Sequence, residues 1–385
     1  MPRLFIATGI FHPESGGPAT YLYHLLPHLQ AQGYEVRLLT YGDDAPNERY
    51  AYPVTRVPRT VLPLRLARYW AAAIPLMRWA DVAYVHSLAL PLPKLPNTPR
   101  IIKVVGDQAW ERSVRNGWVP PTTDIDAFQT TRYSHPLVRA AKALRRRNVR
   151  AMNGVIVPSE YLKRMVVGWG VPPERVTVVY NALPPAQTGK QRTQATARAA
   201  LGLDAARPVL LTVGRLVHWK GVDAFIRALD AAPEVQLVVA GDGVMRGELE
   251  QLAAAAGVGE RVRFLGRVPR ERVPLWMAAA DYVGLYSGYE GLSHVLLESL
   301  RAGTPIIASD KGGNPEVVRP GVNGLLVPYR DDDALRAALQ TAFSAGKREE
   351  LAANTSIDAE KFGYERMVAE TRRILRQSSV QYVRL

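Results

Sequence analysis

The sequence predicts an α/β protein made of two doubly wound domains, and three observations support this. Its 385 residues exceed what one ordinary hydrophobic core holds. Short aliphatic runs, typical of strands buried on both faces, alternate with helical patterns along the whole chain. A break near Asn181–Pro208 separates two series of such runs. We therefore expect a first domain over residues 1–185 and a second over 186–361.

The candidate strands fall into two series of six. In the first half they are Arg3–Thr8, Glu35–Thr40, Val82–His86, Ile101–Val105, Gly154–Val157 and Val176–Tyr180. In the second half they are Val209–Val213, Gln236–Ala240, Val262–Leu265, Tyr282–Tyr286, Ile306–Ser309 and Gly324–Val327. Helical segments follow most of them, which is typical of parallel sheets. Ligands of such sheets bind beyond the carboxyl ends of the strands, so we expect function there and in a cleft between the domains.

Two connecting regions complete this organisation. Pro184 and Pro185, followed by Gln, Thr, Gly and Lys at 187–190, have the composition of a linker. Residues 347–377 carry one long helical pattern in which Gly363 is the only glycine. We expect a final helix at about 362–385 to pack back on the first domain.

Composition excludes several classes of protein. A hydrophobic content of 47% with 22% charged residues is typical of a folded α/β protein. The absence of cysteine excludes disulfides, thiolate metal sites and thiol nucleophiles, and it suits a reducing compartment. Met1–Ala7 leads directly into a strand rather than a signal peptide, and the apolar stretches are too short to span a bilayer. The sequence thus predicts a cytoplasmic protein.

Positive charge is concentrated in the first half of the chain. Residues 1–190 contain 24 Lys and Arg against 12 Asp and Glu, a balance of +12, whereas residues 191–385 contain 25 against 23, a balance of +2. One predicted helix carries a cluster of cations: Arg139, Lys142, Arg145, Arg146, Arg147 and Arg150. Such a surface attracts anionic lipids, nucleic acid or acidic substrates, and a solvated helix face is the alternative. We favour peripheral contact with the inner face of the plasma membrane.

Two carboxylates in the second half lie at a helical spacing. Glu290 and Glu298 are separated by seven residues. If a helix starts near Gly291, Glu298 lies about two turns into it, on a face near that of Glu290. Both could accept hydrogen bonds from sugar hydroxyls, and free backbone N–H groups at the helix start could face a phosphate. Those N–H groups belong to Gly291, Leu292 and Ser293. Hydroxyls beside a phosphate are what a nucleotide sugar presents.

A cationic loop follows the first strand of the second half. Arg215 and Lys220 lie between Gly214 and Gly221, at the carboxyl end of Val209–Val213. Two cations there could clamp a diphosphate and stabilise the charge that develops on a departing nucleoside diphosphate.

Three glycine turns follow other strands. Gly16-Gly17 opens the first helix, where backbone could approach a phosphate, although a plain strand-to-helix turn would look the same. Gly241-Asp242-Gly243 is best interpreted as a structural turn, with donor contact at Gly241 as the alternative. Gly312-Gly313 could lie against a donor.

Polar residues also end two strands of the first half. His86 is the last residue of the predicted strand Val82–His86, and Asp107 follows the predicted strand Ile101–Val105. Either could orient an acceptor hydroxyl, and a structural role is the alternative for each. Asp124 and Asp126 form an Asp-x-Asp pair without a supporting histidine or acid, so no metal is expected.

Together these residues resemble the retaining family 4 glycosyltransferases, which have the GT-B fold of two Rossmann-like domains facing across a cleft. The resemblance covers nearly the whole chain, and its specific motifs lie in the second half: Gly214-Arg215…Lys220-Gly221, Gly241-Asp242-Gly243, Glu290…Glu298 and Gly312-Gly313. It implies metal-independent transfer, without a cofactor, from a UDP-, GDP- or ADP-linked sugar to a lipid-linked, polysaccharide or other glycan acceptor, with retention of configuration.

The resemblance also implies roles for single residues. Arg215 and Lys220 would hold the donor diphosphate, Glu290 would bind hydroxyls of the transferred sugar with the amides of Gly291 and Leu292, and Glu298 would bind the ribose. The Gly16-Gly17 loop would approach the phosphates or the acceptor. Many members carry a histidine near Val105-Gly106-Asp107, and this chain lacks it, so Asp107 or His86 would substitute.

Two other functions fit parts of the pattern. A sugar phosphorylase or nucleotide-sugar epimerase could use the same fold, with the cationic loop holding phosphate. A nucleic-acid-binding protein could use the Arg139–Arg150 segment, but no recognition motif accompanies these charges, and we expect no nucleic-acid partner.

Overall fold

The computed structural model describes residues 1–14, 16–45, 47–185 and 193–383. The chain divides into two compact units. Unit 1 comprises Met1–Trp118, Arg132–Tyr180 and Tyr364–Leu385, and unit 2 comprises Val119–Thr131 and Asn181–Gly363. Each unit contains one parallel sheet with helices between its strands, which is the predicted fold class.

The sheet of unit 1 has seven parallel strands in the order β3-β2-β1-β4-β5-β6-β7. These strands are β1 (Arg3–Ala7), β2 (Glu35–Tyr41), β3 (Val54–Val57), β4 (Val82–Val85), β5 (Arg100–Lys103), β6 (Gly154–Val157) and β7 (Val176–Val178). The order reverses between β1 and β4, so the loops that follow these two strands diverge there and leave a crevice.

The sheet of unit 2 has six parallel strands in the order β10-β9-β8-β11-β12-β13. They are β8 (Val209–Val213), β9 (Gln236–Ala240), β10 (Val262–Gly266), β11 (Tyr282–Leu285), β12 (Ile306–Ser309) and β13 (Gly324–Val327). Here the order reverses between β8 and β11. This switch point is where doubly wound sheets bind their ligands.

Helices connect the strands of both units. In unit 1 they are α1 (Gly17–Ala31), α2 (Leu62–Trp79), α3 (Gln108–Arg115), α5 (Pro136–Arg150), α6 (Glu160–Gly168) and α14 (Tyr364–Val383). In unit 2 they are α4 (Ile125–Thr130), α7 (Gln194–Leu201), α8 (Val222–Ala228), α9 (Arg246–Ala255), α10 (Val273–Ala279), α11 (His294–Arg301), α12 (Asp332–Ala342) and α13 (Lys347–Ala352). Across the described part of the chain, no helix is both long enough and sufficiently apolar to traverse a bilayer.

Alternating side chains of unit 2 fill two hydrophobic layers, one on each face of its sheet. Leu210 and Leu237 belong to a large cluster that contains Phe225 of α8. Their neighbours Leu211 and Val238 belong to a second cluster with residues of α10. Because successive strand residues point to opposite faces, both faces must be covered, and the strands therefore read as continuous apolar runs.

The structure differs from the sequence predictions at three places, and one prediction lies outside the described residues. Strand β3 was not predicted, and residues 347–377 form two helices, α13 and α14, rather than one. Val119–Thr131 belongs to unit 2, although it lies within the predicted first domain of residues 1–185. The predicted linker residues 187–190 lie outside the described residues.

The final helix belongs to unit 1. The Tyr21 hydroxyl of α1 lies 3.4 Å from the Thr371 hydroxyl of α14, and the Tyr34 hydroxyl donates to the Arg372 carbonyl at 3.4 Å. These contacts attach α14 to the first part of the chain.

Candidate active site

The two loops at the switch point of unit 2 touch each other through their backbones. One loop follows β8 and ends at Gly221, and the other follows β11 from Tyr286. Gly221 has a φ of +67°, and a Cβ there would lie 2.0 Å from the Tyr286 carbonyl oxygen. The Gly288 amide donates to the Trp219 carbonyl at 2.8 Å. Glycine at 221 thus permits both the left-handed turn and the close approach of the two loops.

This contact places Lys220 against Glu290. The Lys220 Nζ atom lies 2.5 Å from Glu290 Oε1, with the two side chains 19% and 14% exposed. A charge pair this far removed from water is only weakly screened, so each side chain fixes the position of the other. Sequence reasoning placed these two residues in one site, and the structure brings them into contact.

Arg215 lies on the same loop and is exposed. It lines a small hollow together with Gly214, Lys220 and residues of β8 and β11. Within the part of the chain that the structure describes, no carboxylate pairs with Arg215. The hollow therefore carries one cation held by Glu290 and one open to an anionic ligand.

Glycines after β9 and β12 hold these loops in place. A Cβ at Gly241 would lie 1.8 Å from the Gly214 carbonyl oxygen, which agrees with the structural interpretation of that turn. Gly312 has a φ of +64°, and a Cβ there would lie 2.3 Å from the Glu290 carbonyl oxygen. The Gly313 amide donates to the same carbonyl at 2.8 Å. The Gly312-Gly313 turn thus fixes the position of the Glu290 backbone.

The helix after Glu290 begins later than predicted. Helix α11 starts at His294, with Ser293 as its N-cap, rather than near Gly291. Gly291, Leu292 and Ser293 therefore form an extension of the loop and are not its first helical turn. The Gly312-Gly313 turn packs closely against the backbone of Glu290 and Gly291 in this loop.

Glu298 meets different cations from those that Glu290 meets. It lies in α11 with its Oε1 atom 3.8 Å from Arg270, which follows β10. Burial raises the pKa of Glu298 above the ordinary glutamate value, while Arg270 and Arg301 act in the opposite direction. The structure thus separates the two acids into two environments, and sequence reasoning missed Arg270.

The Gly16-Gly17 turn opens α1 as predicted. Gly17 is the first helical residue and Gly16 the N-cap, without a side-chain cap bond. The preceding Ser15 lies outside the described residues. Glu14 binds Arg59 with an oxygen–nitrogen distance of 2.5 Å. Gly16 has no side chain that could cap the first amides of α1, which lie at the switch point of unit 1.

Asp107 has a structural position, which corrects its prediction as an acceptor-side residue. Its side chain is fully buried and caps α3 by accepting from the Ala109 amide at 2.9 Å and the Trp110 amide at 3.3 Å. Its second oxygen pairs with the buried Arg145 of α5. Both carboxylate oxygens are thus bound within unit 1, which leaves this group poorly placed to contact an acceptor.

His86 is likewise buried, at 8% exposure. Its ring packs against Tyr84 with centroids 4.3 Å apart, and Lys103 Nζ lies 4.0 Å from the centre of the nearby Tyr21 ring. Burial lowers the pKa of His86 well below its ordinary value, and Lys103 acts in the same direction. The imidazole is therefore held neutral in the core of unit 1.

The described residues include no group of three or more His, Asp or Glu side chains placed to hold a metal ion. Asp124 caps α4 by accepting from the Ala127 amide at 2.9 Å.

Both halves of the chain match known families. Residues 15–187 match the family described as Glycosyltransferase Family 4, and residues 193–361 match Glycosyl transferases group 1. The first half thus contains a domain of Glycosyltransferase Family 4, and the second half contains a domain of Glycosyl transferases group 1.

Relatives match over part of the chain. A glycosyltransferase of Methanocaldococcus jannaschii is 33% identical over 226 residues, covering 56% of this chain and 58% of the relative. A D-inositol 3-phosphate glycosyltransferase of Mycolicibacterium gilvum is 37% identical, covering 45% of this chain and 40% of the relative. LpsE of Rhizobium meliloti, a lipopolysaccharide core biosynthesis glycosyltransferase, is 37% identical, covering 40% and 44%. The chain thus spans about half the length of these relatives.

Solved structures match over nearly the whole chain. Sucrose-phosphate synthase from Thermosynechococcus elongatus aligns with a TM-score of 0.78 and 22% identity, covering 98% of this chain and 99% of the other. HepE of Anabaena, in a complex with UDP-glucose, aligns with a TM-score of 0.73 and 22% identity, covering 97% and 100%. These matches confirm the GT-B fold class of two parallel α/β domains.

Proposed function

We propose that this protein is a retaining, metal-independent glycosyltransferase of the hexosyltransferase type. It moves a sugar from a nucleotide-diphosphate sugar to a hydroxyl of a lipid-linked or polysaccharide acceptor. The observation that carries this proposal is the Lys220–Glu290 pair beside Arg215, at the switch point of unit 2. The glycosyltransferase domains matched by both halves support it.

The cations act on the leaving group. As the bond to the anomeric carbon breaks, negative charge grows on the diphosphate oxygen. Arg215 is open to a diphosphate, and Lys220 lies in the same hollow, so both would stabilise that charge. Because Glu290 fixes Lys220 before the donor arrives, little reorganisation is needed when the charge develops.

In this proposal the two glutamates bind different parts of the donor. Glu290 lies next to Lys220 and would accept hydrogen bonds from hydroxyls of the transferred sugar, near the amides of Gly291 and Leu292. Glu298, beside Arg270, would accept from the ribose hydroxyls. Their separate environments fit two separate groups of hydroxyls on one ligand.

The acceptor is proposed as a glycan that is lipid-linked or belongs to an envelope polysaccharide. The similarity to LpsE, a lipopolysaccharide core enzyme, supports this acceptor class. HepE, whose fold this chain shares, was solved with UDP-glucose, which supports a nucleotide-sugar donor. With such an acceptor the enzyme would work in the cytoplasm at the inner face of the plasma membrane.

A ligand screen with two variants tests the proposal. The melting temperature is measured with UDP, GDP and ADP, followed by transfer assays with the matching nucleotide sugars. One nucleotide at 100 times its dissociation constant should stabilise the protein by about 2.7 kcal/mol. Glu290→Ala should abolish transfer and retain this nucleotide-induced shift, because Glu290 contacts the sugar. Arg215→Ala should reduce the shift itself.

Three results would contradict the proposal. They are the absence of a shift with every nucleotide, phosphate-dependent cleavage of a disaccharide without any nucleotide, and full transfer activity in Glu290→Ala.

A further inference from the structure

Aromatic side chains surround the loop that follows β1 in unit 1. His12 of this loop stacks on Tyr23 of α1, with ring centroids 4.2 Å apart and 23° between the ring planes. Tyr50, in the connection between β2 and β3, meets His12 edge-on at 6.1 Å and lies over Tyr52 at 6.0 Å. The buried Phe11 contacts Tyr50 at 5.3 Å. Three separate segments of the chain thus build one aromatic cluster.

The cluster is partly open to water. Tyr23 is 39% exposed, whereas the other tyrosines whose side chains the structure describes are buried or half-buried. The His12 side chain is 32% exposed. His12 covers one face of the Tyr23 ring, so the exposed area lies on the remainder of that ring. The loops that carry His12 and Tyr50 follow β1 and β2, at the carboxyl ends of the strands, where doubly wound sheets bind their ligands.

Hydrogen bonds fix the orientation and the tautomer of the His12 ring. The Tyr50 hydroxyl donates its only proton to the His12 carbonyl at 2.8 Å. The same hydroxyl oxygen lies 3.2 Å from His12 Nδ1, so the network assigns the donor role in that contact to the imidazole. The Glu48 carboxylate, 3.5 Å from Nδ1, favours a proton there as well. In neutral His12 the proton therefore lies on Nδ1, and Nε2 is a hydrogen-bond acceptor.

Two polar atoms of the cluster remain available to a ligand. Within the described part of the chain, no hydrogen bond engages His12 Nε2 or the Tyr23 hydroxyl. Arg56 holds the loop in place, donating to the His12 carbonyl at 2.5 Å and to the Tyr50 hydroxyl at 3.3 Å. The cluster therefore combines a fixed aromatic surface with an acceptor nitrogen and a hydroxyl. A sugar ring has the matching chemistry, because its C–H groups form an apolar face and its hydroxyls lie around the edge.

We infer that Tyr23 and His12 form the subsite for the sugar that accepts the transferred residue. The C–H face of this acceptor sugar stacks on the Tyr23 ring, and one of its hydroxyls donates a hydrogen bond to His12 Nε2. The Gly16-Gly17 turn, for which the sequence predicts contact with the phosphates or the acceptor, continues the same loop. This inference rests on the proposed function, because that function requires a glycan acceptor.

The cation cluster of α5 is another concentration of polar groups in unit 1. Arg145 is buried and paired with Asp107, which corrects its prediction as part of this surface. Arg146 and Arg147 are exposed and attract anions of every class. Such charge does not select a sugar ring, so the aromatic cluster is the better candidate for acceptor recognition.

Saturation-transfer NMR on the full chain tests the inference. The probes are methyl glycosides of glucose, mannose, galactose and N-acetylglucosamine, with uridine as a competing stacking ligand. We expect saturation to pass to the C–H protons of at least one glycoside. Tyr23→Ala should lower the affinity for that glycoside about tenfold, because the stacking surface is lost, whereas Tyr23→Phe should retain most of it. His12→Phe keeps a ring but removes the acceptor nitrogen, and it should lower the affinity about fivefold.

Trp70→Ala is the matched control, because Trp70 of α2 is also an exposed aromatic residue of unit 1, at 48%. This variant should bind the glycoside as the wild type does. The inference is overturned if no glycoside receives saturation, or if Tyr23→Ala and Trp70→Ala bind it equally well. Saturation of uridine that Tyr23→Ala removes also overturns it, since the cluster would then bind a nucleobase.

The melting temperatures of the same samples separate this inference from the proposed function. Tyr23→Ala should retain the nucleotide-induced rise in melting temperature, because the nucleotide binds in unit 2. Glycoside binding that depends on Tyr23, without any nucleotide effect, would contradict the proposed function and leave the sugar subsite in place. A nucleotide effect without glycoside binding at Tyr23 would overturn the subsite alone.

Discussion

The switch points of the two units have the same strand arrangement but contain different chemistry. In unit 2 the loops after β8 and β11 carry charged side chains, with Lys220 bound to Glu290 and Arg215 exposed beside them. In unit 1 two polar side chains that follow strands are buried: His86 after β4 packs among tyrosines, and Asp107 after β5 caps a helix. Polar side chains that follow strands thus line a charged hollow in unit 2, whereas His86 and Asp107 are buried in unit 1.

This difference shows that strand-end position alone does not identify a functional residue. His86 and Asp107 satisfy the positional rule as well as Lys220 does, yet their polar groups are directed into the protein. What distinguishes unit 2 is that its glycine turns keep charged side chains at the surface of the hollow. Acceptor recognition in unit 1 is therefore expected to use other residues. Four predictions test this comparison.

The largest effect is expected for Lys220→Ala. The variant loses a cation that stabilises the leaving group and leaves the half-buried Glu290 without its partner. We expect kcat/KM to fall about a hundredfold to a thousandfold, which corresponds to the loss of one preorganised group in a catalytic site. Steady-state kinetics with the nucleotide sugar identified by the ligand screen measures it.

Lys347→Ala is the matched control, because Lys347 is also ion-paired in unit 2, with 2.7 Å between its Nζ atom and Glu350. Its activity should remain that of the wild type. Equal activity of the two variants would remove the charged switch point of unit 2 from the mechanism.

Asp107→Asn should affect stability and leave chemistry intact. The substitution keeps a capping oxygen but leaves the buried Arg145 without a counter-charge. We expect the free energy of unfolding to fall by about 3 kcal/mol, measured by chemical denaturation, with kcat of the folded fraction unchanged. Asp124→Asn, at a cap without a buried ion pair, should change stability by less than about 0.5 kcal/mol. A stable but inactive Asp107→Asn variant would restore this residue to the catalytic candidates.

His86 should make the protein acid-sensitive. Its pKa is lowered in the folded state, so the unfolded chain binds a proton that the folded chain does not. Stability from this group is therefore present above pH of about 6.5 and declines below it, with a limiting slope of about 1.4 kcal/mol per pH unit.

Denaturation at pH 5.5 and 7.5 measures this effect. Replacing His86 with Phe should remove this part of the pH dependence, whereas replacing the exposed His218 with Gln should preserve it. An unchanged slope in His86→Phe would show that the buried imidazole is not the acid-sensitive group.

The smallest effect is expected for Glu298→Gln. Burial raises the pKa of Glu298, so its contribution to stability is present at low pH and declines as pH rises through the folded value. Removing the charge should therefore leave stability at neutral pH equal or higher. Nucleotide affinity should fall about tenfold, because a charged acceptor of ribose hydrogen bonds is lost. Calorimetric titration measures it, and unaltered affinity would contradict the ribose role.

The sequence predicted the central strands most accurately, because a strand that is buried on both faces has a continuous apolar pattern. The strands Val209–Val213, Gln236–Ala240 and Ile306–Ser309 have the predicted bounds, because both faces of each strand are covered and each is a continuous apolar run. Strand β3 was missed because Val54–Val57 is short, includes a charged residue and lies between prolines at the sheet edge. Edge strands lack the continuous apolar pattern of central ones.

Most long-range pairing outside the site could not be predicted from the sequence. Nothing near Asp107 indicates that Arg145, 38 residues later, binds its carboxylate in the core. The close approach of Gly312 to the Glu290 carbonyl, 22 residues earlier, is likewise not indicated by the local sequence. The segment Val119–Thr131 likewise belongs to unit 2 through long-range contacts. In one of them the Arg330 side chain donates a hydrogen bond to the Thr122 carbonyl at 2.5 Å. Such contacts leave no periodic pattern.

The return of α14 to unit 1 determines how the protein can be dissected. A fragment of residues 1–185 would lack the helix that covers Tyr21 and Tyr34, and it would expose the surface that normally contacts Thr371 and Arg372. A fragment that preserves unit 1 must therefore keep Tyr364–Leu385 together with the earlier segments. Unit 2 is likewise discontinuous, because a fragment of residues 181–363 would lack Val119–Thr131.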